Sequence, residues 1–108
     1  MMRAGELIAA IALLEPEDLD AWIRAEWVAP EPQADDLVFS DRECARIRLI
    51  CTLRYHLEVE AETLPVVLSL VDQLYETRQR LHALSEAVAA QDPQVRTSVL
   101  EVLARMER

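Results

Sequence analysis

The sequence predicts a mainly α-helical fold with a small two-stranded β-wing. Of its 108 residues, 52% are hydrophobic and only Gly5 is glycine. Because glycine is the residue that most readily adopts a positive φ, tight hairpin turns are expected to be few. Apolar residues recur at spacings of three and four over most of the chain, which is the period of a helix. A polar stretch with two prolines, residues 30–36, interrupts that period between two β-prone triplets.

Two short helices are expected at the start of the chain. Residues 5–14 are rich in leucine, isoleucine and alanine, and Pro16 ends that pattern. Pro16 also suits the first turn of a second helix, which we expect to end near Glu26. The inward face of the second helix is a set of three apolar residues at helical spacing: Leu19, Trp22 and Ile23.

The predicted wing pairs residues 27–29 with residues 37–39 as two short strands. A third helix begins directly after it, because Ser40 and Glu43 form a capping-box pattern. In such a box Ser40 accepts from a first-turn amide, and Glu43 reaches back to the amide of Ser40.

The third helix has an apolar face and a basic face. Its apolar positions, which we expect to be buried, are Cys44, Ile47, Ile50, Cys51 and Leu57. Its polar face carries four arginines: Arg42, Arg46, Arg48 and Arg54. The two cysteines lie seven residues apart on one face, roughly 10 Å at 1.5 Å per residue, too far for a disulfide. We therefore expect buried free thiols.

A long helix is predicted from Pro65 to about Gln91, followed by a short final helix from Pro93 to Met106 with Asp92 as its N-cap. Residues 1–57 are expected to form a winged helix-turn-helix-like module and residues 58–108 a helical dimerisation region, within one compact domain overall.

Seven residues of the long helix follow an a/d heptad pattern, and six of them are apolar. The apolar six, which we call the α4 seam, are Val67, Leu70, Leu74, Leu81, Leu84 and Val88. This stripe could pack on the protein's own helices, on the final helix, or on a second copy. A helix this long is difficult for three short helices to cover, so we expect a homodimer.

Motifs for catalysis, metal binding or cofactor binding are lacking in the sequence. The two histidines, His56 and His82, lie in different predicted helices, without cysteine or carboxylate at metal-ligand spacing. We expect no enzymatic activity and no cofactor. Residues 7–14 are too short to span a bilayer and lack a small-residue cleavage site after them, which favours a cytoplasmic location.

Charge is unevenly distributed along the chain. The net charge is −9 overall, and residues 1–36 alone carry −7 because they hold nine acids and two arginines. Such a surface repels phosphate, which argues against nucleic acid as a partner, and attracts a basic protein. The candidate partner-binding residues are Glu17, Asp18, Asp20, Arg24, Glu31, Asp35 and Asp36.

The order of these elements resembles the winged-helix module of MerR-type regulators, through residues 7–10, 17–19, 27–30, 37–41 and 46–54. Residues 56–59 and 64–74 make the chain look more like the CbpM family of chaperone modulators. That resemblance implies a homodimer joined through the long helix, which binds the J-domain of a DnaJ-type co-chaperone and limits its engagement of Hsp70.

Two alternatives remain open at this point. A MerR-type transcriptional regulator would bind DNA with basic residues on two helices: Arg24, Arg42, Arg46 and Arg48. Residues 37–57 favour it, since they carry a net charge of +2. A stand-alone dimerisation module is the third reading.

Overall fold

A computed structural model describes residues 1–107 and shows a mainly helical chain with a small antiparallel sheet. In chain order the elements are β1 (Met2–Arg3), α1 (Ala4–Ala10), α2 (Pro16–Arg24), β2 (Glu31–Gln33), β3 (Asp36–Phe39), α3 (Asp41–Cys51), a π-helical turn (Thr52–His56), α4 (Leu64–Ala89) and α5 (Pro93–Met106). The predicted mainly helical class is confirmed.

The chain divides into two compact units, Met1–Leu68 and Ser69–Arg108. The first unit holds the hydrophobic core, whose fully buried side chains come from α1, α2, β3, α3 and the first turns of α4. The largest of them are Phe39, Leu7, Leu19, Ile47, Ile50 and Leu64. Helix α4 therefore begins inside the first unit and continues into the second.

The sheet differs from the predicted two-stranded wing. It has three strands in the order β1-β3-β2, and β1 pairs with β3 through Met2 and Arg3. The prediction of a strand at residues 27–29 is wrong, since these residues are not in the sheet. The strand that pairs with β3 at this position is β2, with Pro32 opposite Leu37. Pro32 is tolerated because β2 is an edge strand, whose outward amides have no ladder partner.

The first helix is shorter than predicted and ends at Ala10 instead of residue 14. Glu15 is extended, with φ −92° and ψ 140°, as the residue before a proline prefers. Ile11 is also extended, with φ −107° and ψ 107°, and this ends α1 at Ala10. The chain turns between Ile11 and Leu14, where the amide of Leu14 donates to the carbonyl of Ile11 at 3.1 Å. Leu14 is buried by this turn.

The end of α3 also departs from prediction. Cys44, Ile47, Ile50 and Cys51 are buried as expected, and both cysteines are free thiols. Leu57, which we predicted to be buried, is 63% exposed. The π-helical turn adds a residue to the turn, with the Leu57 amide donating to the Thr52 carbonyl at 3.0 Å, and this shifts Leu57 off the buried face.

The second unit consists of α4 from Ser69 onward and α5, which we call the helical hairpin. The bounds of both helices agree with the sequence prediction to within two residues. Asp92 caps α5 as predicted, since its side chain accepts from the Val95 amide at 3.0 Å.

Candidate functional site

The exposed face of α2 carries the first group of predicted partner-binding residues. Leu19 and Trp22 are buried on the opposite side of the helix. Glu17, Asp20 and Arg24 lie three and four residues apart, so they share one face, and all three are exposed. The helix therefore presents two carboxylates and one guanidinium to solvent.

Asp18 has a different role from its neighbours on α2. It is half-buried, and its Oδ2 accepts a hydrogen bond of 2.5 Å from the hydroxyl of Tyr55 in the π-helical turn. The ring of Tyr55 also packs against Trp22, with ring centres 6.1 Å apart. Asp18 thus joins α2 to the end of α3, and its carboxylate is already bound within the chain.

Two groups near Asp18 have altered acidity. Partial burial, the hydrogen bond to Asp18 and its negative charge raise the pKa of Tyr55. Burial, followed by the charge of Asp18, raises the pKa of the Cys51 thiol, although Arg48 opposes this. Both groups are therefore held in their neutral forms, and an elevated thiol pKa is the opposite of what a cysteine nucleophile requires.

The β2–β3 hairpin carries the second group of predicted partner-binding residues. Glu31 and Asp35 are exposed, on β2 and in its turn. Asp36 forms an exposed ion pair with Arg3, at 3.9 Å from its Nε, and also accepts from the Leu37 amide at 2.8 Å. The role of Arg3 was not predicted from the sequence, because no strand was expected at the amino terminus.

Helix α3 holds the segment between α2 and the sheet. Ser40 caps α3 as predicted, accepting from the Glu43 amide at 3.2 Å. Glu43 does not complete the predicted capping box through the Ser40 amide; its Oε2 accepts from the Ala29 amide at 3.1 Å. Arg46 donates from Nε to the carbonyl of Trp27. Residues 27–29 are therefore secured by two side chains of α3.

The arginines considered for DNA binding differ in exposure and in their contacts within the chain. Arg46 is half-buried, and its Nε already donates a hydrogen bond to the Trp27 carbonyl within the chain. Arg24, Arg42 and Arg48 are exposed, on α2 and α3. Arg54, which was predicted on the polar face of the third helix but not as a DNA contact, donates from Nη1 to the Val59 carbonyl at 2.7 Å.

The α4 seam is largely exposed in the single chain. Leu70, Leu74, Leu81 and Leu84 are each more than half exposed, and Val67 and Val88 are half-buried. Within the helical hairpin, a groove of about 300 Å³ lies between α4 and α5. Its apolar lining consists of Leu81, Leu84, Val88, Val99, Leu100 and Leu103.

Comparison with known proteins finds no match among family models, curated proteins or solved structures. None of the helices in residues 1–107 combines the length and apolar character that a bilayer crossing requires. Within the same residues no group of three or more histidine, cysteine or acidic side chains could hold a metal ion.

The role of Tyr55 was not predicted, although the sequence contains a signal for it. It continues the spacing of four that runs from Ile47 through Cys51, and a tyrosine hydroxyl at a partly buried position usually has a hydrogen-bond partner. The roles of Glu43 and Arg46 had no such signal, because each contacts backbone at least 14 residues away.

Proposed function

We propose that this protein is a non-catalytic adaptor that binds a basic partner protein through the exposed acidic face of α2. The observation that carries the proposal is the placement of Glu17 and Asp20 on one exposed face, within a 36-residue segment of net charge −7. Complementary charge between two surfaces speeds their encounter and selects the partner.

A J-domain of a DnaJ-type co-chaperone is the partner we propose. The resemblance to chaperone modulators of the CbpM family supports it, together with the acidic α2, since a J-domain would present a basic helix to this face. In that role the protein would occupy the surface through which the co-chaperone engages Hsp70, and would act as an inhibitor in the cytoplasm. The β2–β3 hairpin corresponds to the wing of a MerR-like module in this proposal.

A charge-reversal variant tests the α2 face. Glu17→Lys with Asp20→Lys should weaken J-domain binding at least tenfold in a calorimetric titration, because two attractive contacts become repulsive. Circular dichroism should remain unchanged, since both side chains are exposed.

The matched control is Glu60→Lys with Glu62→Lys, which changes net charge equally at two exposed acids outside α2. It should bind within about twofold of the natural chain. Equal loss of affinity in both variants would show that only total charge matters, and undiminished binding by the α2 variant would contradict the assignment of this face.

A gel-shift assay with genomic DNA fragments tests the regulator alternative. We expect no sequence-specific retention at physiological salt, because the acids of residues 1–36 repel phosphate and Arg46 already holds the Trp27 carbonyl. Specific retention would favour a MerR-type regulator over the adaptor.

We also propose that the adaptor is a homodimer joined through the α4 seam. The exposed leucines of α4 support this, since contiguous apolar surface on a helix at heptad spacing is typical of a helix–helix contact. Leu74→Glu with Leu81→Glu should give a monomer by light scattering, and an unchanged mass would place the contact elsewhere.

A further inference from the structure

The helical hairpin has almost no core of its own. Among its described residues, 69–107, none is buried. Eleven of the sixteen large hydrophobic side chains that are exposed in the described chain belong to it. A unit of this length rarely buries enough apolar surface alone, and both cysteines lie outside it, so no disulfide within it supplements the packing. Another chain would supply the missing burial.

Helix α5 contributes as much of this apolar surface as α4 does. Val99, Leu100 and Leu103 line the groove between the two helices, opposite Leu81 and Leu84. A second concave surface, of about 380 Å³, follows α5 itself and is lined by Ser98, Val99, Val102, Leu103 and Met106. The apolar face is therefore two helices wide.

Charge indicates what covers this face. Residues 69–108 carry a net charge of −1, with arginines and acids both present, whereas residues 1–36 carry −7. A basic partner is attracted to the first unit and gains little from the hairpin. An identical hairpin carries only one unit of like charge, a weak repulsion that apolar burial exceeds, and it presents the same apolar face, which a symmetric contact requires.

We propose that α5 joins α4 in the dimer contact, so that two copies pack their hairpins into a four-helix bundle. In such a bundle the apolar faces of all four helices turn inward, and each α5 covers part of the partner's α4 seam. This inference rests on the homodimer that forms part of the proposed function, and it adds α5 to an interface that was assigned to α4 alone.

The mass of the full-length protein, measured by sedimentation and light scattering, tests the role of α5. Leu100→Glu with Leu103→Glu should give a monomer, because the bundle would bury unpaired charge. The control is Leu13→Glu with Leu57→Glu, which changes two leucines of similar exposure outside the hairpin. The control should remain a dimer.

A second variant without added charge distinguishes loss of the dimer contact from unfolding of α5. Leu100→Ala with Leu103→Ala retains strong helix formers and should raise the dimer Kd at least tenfold while the circular dichroism stays helical. If both α5 variants dimerise like the natural chain, the four-helix bundle is wrong.

A further variant separates this inference from the proposed function. Leu70→Glu with Leu74→Glu changes α4 outside the groove that α5 lines. If this variant is monomeric while the α5 variants are dimeric, the dimer forms through α4 alone and the bundle is overturned. A natural chain that is monomeric at every concentration overturns both the dimer and the bundle, whereas J-domain binding is measured independently by calorimetry.

Discussion

At the scale of single residues, the contact between Asp18 and Tyr55 shows how an acidic side chain can serve the fold instead of a partner. Asp18 belongs to the acid-rich segment that the sequence marks as a binding surface. Its carboxylate accepts from the Tyr55 hydroxyl, and the two side chains connect α2 to the π-helical turn. Glu17 and Asp20, on either side of it in sequence, are exposed.

The raised pKa of Tyr55 predicts a loss of stability at alkaline pH. In the unfolded chain this phenol begins to release its proton near pH 10, while the folded state retains the proton to higher pH. The stabilisation is therefore complete below pH 10 and declines above it, at up to about 1.4 kcal/mol per pH unit. The chain has no lysine, so few other groups titrate in this range.

Urea unfolding between pH 8 and 11 measures this effect. Tyr55→Phe should lose about 1–2 kcal/mol at neutral pH, because a hydrogen bond to a carboxylate is removed, and should lack the decline that starts near pH 10. A decline from Cys51, which starts near pH 9, should remain. Tyr75→Phe is the control and should show both declines in stability, since it leaves Tyr55 and Cys51 in place. An identical alkaline profile in Tyr55→Phe would contradict this assignment.

Ala34 offers a second prediction at this scale. It occupies the first central position of the two-residue turn between β2 and β3 with φ 56°, a conformation that favours glycine. Ala34→Gly should stabilise the chain by about 0.5 kcal/mol, since relief of the left-handed strain exceeds the added chain entropy. Thermal unfolding measures the change. Ala45→Gly, at an exposed position inside α3, should destabilise by about 1 kcal/mol.

At the scale of elements, α3 organises the first unit. Its buried face supplies Ile47 and Ile50 to the core, and its polar side chains Glu43 and Arg46 hold residues 27–29. The same helix therefore contributes buried side chains to the core and holds, by hydrogen bonds, the segment that leads from α2 to the sheet. The π-helical turn at its end then places Tyr55 against Trp22.

Two substitutions distinguish the contacts at the start of α3. Glu43→Ala should destabilise by about 1–2 kcal/mol and accelerate hydrogen exchange at the Ala29 amide, which loses its acceptor. Ser40→Ala should cost about 1 kcal/mol through the lost helix cap and leave exchange at Ala29 close to that of the natural chain. If both variants accelerate exchange at Ala29 equally, the contact with Glu43 is not what protects that amide.

At the scale of the whole molecule, charge and apolar surface are separated along the chain. The acids concentrate in the first 36 residues, which belong to the unit with the hydrophobic core, whereas exposed leucines and valines concentrate in the helical hairpin. A basic partner and a second copy would therefore be recognised by different parts of the chain.

Salt dependence separates these two interactions. Binding of a J-domain should weaken as sodium chloride rises from 0.05 to 0.5 M, because the Debye length is only about 10 Å at 0.1 M. Dimerisation through apolar side chains should hold or strengthen over the same range. Calorimetry and sedimentation measure the two effects, and salt-independent partner binding would indicate an apolar contact.

The sequence by itself determined the elements that depend on neighbouring residues. Heptad spacing, Pro65 and the Asp92 cap located α4 and α5, and the spacing of Cys44, Ile47, Ile50 and Cys51 identified the buried face of α3. These signals are local, because a cap, a proline or a buried stripe acts within one or two helical turns.

Only the tertiary structure decided what depends on residues distant in sequence. The pairing of β1 with β3, the contact of Glu43 with Ala29 and that of Tyr55 with Asp18 all join separate parts of the chain. A two-residue strand has no period of its own, and a polar side chain has several possible acceptors. The strand and the acceptors are chosen only once the core has packed, because packing brings the partners within hydrogen-bond distance.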